Sequence, residues 1–405
     1  IAAAVRGRLE LFTTNLRDVP ARHRSMQSIF DHSWRLLDAH EQNLLRQLAV
    51  FRGGCTLAAA AAVTGTTPGD LESLVDKSWL RVQERRFTLH ELMRQYCAER
   101  LDHEHESATG EAADLVRHRH CHYFAGITGA EEQALNWQRE PMSLLSADFG
   151  NLETAWLWAI AQSDFLATRQ MLNGLFFFAE MTGWFGAVLP LFERAAHALR
   201  TEWRRKSGGT PQRQETAFLL TNILYIQAML LSPSSWLTRV QECLDEARLV
   251  LNDSEHDARW QDQYMVVRTG ETWLVLERGE IAAAHAMAST LLSYLQTNTF
   301  ACYPWRAEIG TRFWQMHMHH AICVTARLMG DYKSAWTHSE AANDLCDAMG
   351  ERRFKARNLH EKANLLRLRG DYEQARTVAQ SALALSHSFA DRITATFGEL
   401  TLGEI

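Results

Sequence analysis

The sequence predicts an all-α protein carrying one small β-hairpin, and three observations lead to it. Only 7 Pro and 22 Gly occur in 405 residues, which leaves little turn material for a strand-rich topology. Apolar residues recur at helical spacing along most of the chain, and a single short stretch around Trp79 to Leu89 alternates instead. With 46% hydrophobic and 22% charged residues the composition is that of globular protein rather than disordered chain. At roughly 100 to 200 residues per domain, the length calls for two to four units.

The elements follow in order. Residues 1–19, with Val5, Leu9, Leu11 and Phe12 in partly helical spacing, read as the tail of a preceding domain. After Pro20, Met26, Ile29, Phe30, Trp34 and Leu37 follow a helical period, and Asp38 with Glu41 forms a capping-box start for Leu44, Leu45 and Leu48. Gly53-Gly54 ends that helix, Thr56 caps an Ala-rich one, and Thr67-Pro68 supplies a cap and a first-turn proline for another. Trp79 to Val82 and Phe87 to Leu89 alternate about the polar turn Gln83 to Arg86, which predicts a hairpin, and a helix with Leu92, Met93, Tyr96 and Leu101 follows. Helices followed by a hairpin describe a winged helix-turn-helix domain over 20–101. Residues 102–112 are polar and read as a linker, within a helical connector taken as 102–150.

From 151 to 405 the chain reads as helical hairpins. Gly330-Asp331-Tyr332 with Ala335 and Ala342 recurs as Gly370-Asp371-Tyr372 with Ala375 and Ala382, and these are the glycine, aromatic and small positions of a tetratricopeptide (TPR) repeat. Weaker copies start at Ser163, Gly183, Ser234 and Gly279. Gly or Ser permits the tight turn, the aromatic is expected to fill the gap beside it, and the small residues let helices approach. Each hairpin has apolar surface that only its neighbours can cover, so a TPR-like α-solenoid with a concave binding face results. Polar loops are expected at 206–211 and 252–257. Most tryptophans of this region (Trp156, Trp158, Trp184, Trp273, Trp305, Trp314, Trp336) should fill the core, with a few lining the concave face.

Charge and motifs narrow the function. Residues 1–101 hold 14 basic and 11 acidic side chains, whereas the rest hold 28 and 37, a poor match to phosphate backbones. The helix from Pro68 to Lys77 carries Asp70, Glu72 and Asp76 against one lysine, so direct DNA contact is not expected, although Arg81, Arg85 and Arg86 could touch phosphate from the hairpin. None of the five lysines lies in a Gly-Lys-Ser/Thr phosphate loop, and no G-x-S-x-G or H-E-x-x-H occurs, so the chain is read as no enzyme, with no cofactor of its own. His118, His120, His122 and Cys121, and His317, His319 and His320, suggest metal, but only His118 and His122 share a helical face. Two ligands seldom make a structural zinc site, so no metal is assigned. The second cluster is read as a helix lining the groove. Seven scattered cysteines and no long apolar run point to a cytoplasmic chain without a membrane partner, and Ile1 to a piece of a longer one.

Several blocks together carry a family resemblance: Arg22-His23-Arg24-Ser25, Phe30 to Leu37, Leu48 to Gly54, Leu74 to Ser78 and Leu89 to Tyr96. They resemble the winged-helix signature of the bacterial STAND regulators, signal-transduction ATPases of the NB-ARC and NACHT type that include LuxR-like and SARP-like transcription regulators. Arg117 to Phe124 and Asp148 to Leu152 resemble that family's connector into its TPR array. The resemblance implies that His90, in Leu89-His90-Glu91, occupies the histidine of the family's Met-His-Asp motif, which contacts the ADP phosphate in the resting state; Leu and Glu replace the flanking residues. An imidazole beside a phosphate gains charge-assisted hydrogen bonding, so it senses the nucleotide, and Arg94 one turn later supports it.

The expectation is therefore a regulatory fragment. Its TPR array binds a protein, peptide or small-molecule effector, and its winged helix relays that event to an upstream NTPase domain of the same chain, where ADP or ATP binds, for transcription control. The alternatives are a constitutive TPR scaffold and a regulator that binds DNA through the winged helix.

Overall fold

In the computed structural model of the chain the described residues are 30–105, 110–135, 145–205, 210–231, 237–253, 259–298, 307–389 and 391–405. The expected tail at 1–19, the Arg22 to Ser25 block, the repeat copy at Ser234 and Trp305 lie outside them. The chain divides into two compact units, Ile1–Tyr123 and Phe124–Ile405.

In the first unit a helical segment at 30–35 precedes α1 (Ala39–Leu48), α2 (Leu57–Thr64) and α3 (Pro68–Asp76). The expected caps form. Asp38 accepts from the Glu41 backbone at 2.8 Å and the Glu41 carboxylate accepts from the Asp38 backbone at 3.1 Å, while Thr56 caps α2 and Thr67 with Asp70 boxes α3 behind Pro68. The Glu41 carboxylate also receives Lys77 Nζ at 2.5 and 2.7 Å and Ser73 Oγ at 2.8 Å, tying α1 to the end of α3. Those bonds, the lysine's first, outweigh burial and hold its carboxyl below the ordinary range.

Strands β1 (Cys55–Thr56), β2 (Leu80–Gln83) and β3 (Arg86–Leu89) form an antiparallel sheet in the order β1-β3-β2. The hairpin pairs Leu80 with Leu89 and Gln83 with Arg86, across a two-residue turn whose Glu84 and Arg85 both sit at positive φ, 50° and 62°. The expected hairpin is present; β1, which the sequence reading did not contain, adds its pair Cys55 with Phe87. Helix α4 (Glu91–His105) follows at once, and α5 (Gly110–Leu135) contains the division between the units. The expected linker at 102–112 is thus helical over 102–105 and from Gly110, because Leu101 and Val116, both buried, keep the apolar spacing going on either side of it.

The second unit is helical throughout its described residues. Its helices are α6 (Phe149–Gln162), α7 (Phe165–Thr182), α8 (Phe185–Arg205), α9 (Pro211–Leu231), α10 (Leu237–Asn252), α11 (Trp260–Glu277), α12 (Ile281–Thr297), α13 (Ala307–Leu328), α14 (Tyr332–Met349), α15 (Arg352–Arg369), α16 (Tyr372–Phe389) and α17 (Arg392–Glu404). From α7 onward they alternate. The outer helices bury one stripe, as in α8 with Val188, Leu191, Phe192, Ala195, Ala196 and Leu199. The inner ones are covered on nearly every side, as in α9, where residues 216–221 are buried without a break. Of the loops expected at 206–211 and 252–257, Pro211 and Asn252 are helical, and 206–209 and 254–257 lie outside the described residues.

The repeat signature has a physical basis here. Gly330 and Gly370 end their helices at φ 82° and 90°, a left-handed conformation costly for a residue with a Cβ. Ala335, Ala342, Ala375 and Ala382 are buried at the helix contacts, as are Thr168, Val188, Ala195 and Ala284 in the weaker copies. The aromatic position differs from expectation. Tyr332 and Tyr372 are 50% and 54% exposed, since each opens its helix directly after the turn and the alanines already bring the helices together, leaving no gap there. Asp331 instead stabilises the turn, accepting from Ser334 N at 3.0 Å as the helix cap.

The array also closes on itself. Arg353 on α15 pairs with Glu180 on α7, 173 residues away in sequence, Arg357 reaches the same carboxylate at 3.5 Å, and Arg353 lies 3.9 Å from Asp391 ahead of α17.

Candidate functional site

Each unit presents a site. In the first, the sheet and caps deliver the chain from β3 into α4 through His90. Its ring is exposed, and Nδ1 accepts from the Leu92 backbone N–H at 3.3 Å, so it caps the start of α4. With Nδ1 accepting, the neutral ring carries its proton on Nε2.

Arg94 lies one turn on, mostly buried. Nε and Nη2 grip the two Glu91 oxygens at 2.9 Å each, and Nη1 donates to the Ala49 carbonyl at 3.0 Å. The guanidinium thus clamps the start of α4 onto the end of α1, and its hydrogen bonds come before burial in holding the Glu91 carboxyl below its usual range.

Other motif blocks meet on the same helix. Tyr96 Oη donates to Asp31 at 2.7 Å, Arg100 Nη2 donates to the same oxygen at 2.6 Å, and the Tyr96 ring packs on Trp34, centroids 5.7 Å apart. Burial first, then Asp31, raises the Tyr96 hydroxyl above its ordinary range. Blocks separated by some 60 residues are therefore one packed unit, with His90 on its surface.

The expected acidic face of α3 is present, Glu72 and Asp76 being exposed, while Asp70 is engaged by Thr67 and by His40 at 3.2 Å. On α5, His118 and His122 lie one turn apart with tilted rings 4.1 Å between centroids, and His120 is buried with its ring 5.2 Å from Phe51.

In the second unit the inner helices α7, α9, α11, α13, α15 and α17 surround a cavity of about 480 Å³. Its wall is dominated by aromatic rings, among them Phe176, Phe177, Trp273, Phe313, Trp314 and Phe354. His317, His320 and His360 face it as well, so the cluster read as groove-lining does line it through His317 and His320. His319 turns to His338 on α14, Nδ1 to Nδ1 at 2.8 Å. Burial lowers all five of these histidines, His317 well below the ordinary value and His319 to about 4, because an imidazolium is poorly solvated there. Of the tryptophans, Trp273 and Trp314 line the cavity, Trp156 is buried with Nε1 donating to Leu191 O at 3.0 Å, and Trp184 is 42% exposed.

The closure beside the cavity is electrostatic. Burial pushes the Glu180 carboxyl up, but Arg353 and Arg357 outweigh it and hold the group below the usual carboxylate range; Asp391 responds in the same way to Arg357 and Arg353. Beyond that histidine cluster nothing local in the sequence marked this cavity, since its lining comes from seven helices spread over 225 residues.

No family model matches the chain. Over 176 residues it is 29% identical to proteins of Mycobacterium tuberculosis and Mycobacterium bovis that carry the name HTH-type transcriptional regulator, a match covering 41% of this chain and 19% of each relative. The chain therefore spans about a fifth of the length of the relatives it matches. A crystal structure of a signal-transduction ATPase with numerous domains (STAND) and a tetratricopeptide repeat sensor, from Pyrococcus horikoshii, aligns with a TM-score of 0.45 at 14% identity, covering 96% of this chain and 56% of that one.

Proposed function

We propose that this chain is the sensing and relay portion of a transcription regulator of the STAND type, working in the cytoplasm. The repeat unit binds an effector in its central cavity, and the helix-and-hairpin unit, read as a winged helix, passes the event to a nucleotide-binding domain elsewhere in the parent protein. The observation that carries the reading is the aromatic-lined cavity of about 480 Å³, a volume suited to ligand capture. The similarity to HTH-type regulators over 176 residues supports the regulatory role. The acidic α3 argues against that helix entering a DNA groove, so the first unit is assigned an intramolecular task.

His90 is the proposed contact to nucleotide. It is exposed, held by its cap bond, and has Nε2–H to offer a phosphate oxygen, while Arg94 fixes the segment rather than touching the ligand. ADP then favours the resting arrangement, and effector shifts the balance only through its preference for the other one. In the full-length parent, His90→Ala should release ADP about tenfold faster or more, the loss of one charge-assisted hydrogen bond, and raise basal output. Unchanged ADP retention and unchanged basal output would overturn the assignment.

A further inference from the structure

We propose that the repeat cavity takes an uncharged, flat aromatic molecule that carries carbonyl or hydroxyl oxygen. This deepens the effector-sensing reading above and rests on it.

Charge comes first. Glu180 is neutralised by Arg353 and Arg357, and Glu361 accepts from Arg327 Nε at 2.8 Å, so these two carboxylates of the wall are already matched. An ionised ligand would have to draw its counter-charge out of these pairs, which is costly away from water. A neutral one meets no such penalty.

Shape and hydrogen bonding come next. Rings from α7, α11, α13 and α15 supply faces and edges on several sides, which favours an aromatic guest in stacked or edge-on contact. Trp314 is 4% exposed, yet its Nε1–H has no hydrogen-bond partner, and His317 Nε2 on the same helix is buried and equally unpartnered, whereas the His320 ring is engaged by Asn358. An indole N–H can only donate, so its complement is an acceptor oxygen; the His317 imidazole, neutral here, can donate or accept. Unpaired polar atoms set among the aromatic rings of one wall give an entering oxygen a hydrogen bond to make as those rings part, beside apolar faces for the rest of the guest.

The test is a fluorescence titration of the chain with Nile red, a neutral fused-ring dye bearing a carbonyl, against pyrene-1-sulfonate, an anionic aromatic. Val324→Trp on α13 and Ile393→Trp on α17 each fill the cavity from a different helix, and Trp314→Phe removes the donor while keeping a ring. The expected result is saturable one-to-one binding of Nile red, weakened at least tenfold by either filling variant that retains native circular dichroism and about three- to tenfold by Trp314→Phe. Absence of saturable binding, equal affinity in a folded filling variant, or tighter binding of pyrene-1-sulfonate would overturn the proposal. Should neither filling variant fold, an unchanged affinity in Trp314→Phe overturns it. Failure here leaves the relay reading to its own measurement, ADP retention in His90→Ala, which involves no dye.

Discussion

Arg353 shows how far one side chain reaches. Its side chain is 2% exposed, its guanidinium lies over Phe177 and Phe354, and it meets Glu180, Asp391 and the neighbouring Glu351. An arginine in that position is stable only while its counter-charges remain. Glu180→Gln should therefore lower unfolding stability by about 3 kcal/mol, the lower end for a broken buried pair because Asp391 and Glu351 stay in place, as measured by urea titration. A loss under about 1 kcal/mol would show that the closure is maintained by apolar packing instead. No reading of the sequence flagged Arg353: charge next to Phe354 looks like any exposed helix position, and its partner lies 173 residues earlier. The position of His90 between a strand and a helix start was legible because it is set locally. His317 and His320 were legible as a cluster, though the unpaired nitrogen of His317 depends on what α15 brings opposite it.

At the scale of elements, short-range chemistry predicted well. Asp38 with Glu41 and Thr67 with Asp70 form their caps because every atom involved is within three residues. Strand β1 was invisible for the opposite reason: two residues contain no alternation, and their pairing depends on β3, about 30 residues later. The β2–β3 turn holds a reserve of strain, since a two-residue hairpin of this kind favours Asn-Gly and here carries Glu84-Arg85, both at positive φ. Glu84→Asn with Arg85→Gly should stabilise the first unit by about 1 to 2 kcal/mol, read from its unfolding midpoint. No gain would mean that the hairpin is already open before the rest of that unit unfolds.

Over the whole chain, titration adds a collective effect. His317, His319, His320, His338 and His360 all have folded values below the ordinary 6.5, so between about pH 6.5 and 4 the unfolded chain binds more protons than the folded one. Stability is then full above about pH 6.5 and declines as pH falls through that window, with a slope of up to about 1.4 kcal/mol per pH unit for each proton taken up. His319→Gln should flatten the decline between pH 7 and 4.5 in urea titrations; an unaltered slope would mean that ring gains its proton without unfolding. The clasp between α7 and α15 has a different consequence. Open stacks of repeats melt in portions, because each module leans only on its immediate neighbours and an end can peel away. Joining an early module to a late one turns the row into a loop, so peeling at either end must first break the join, and the array is driven toward melting as a single body.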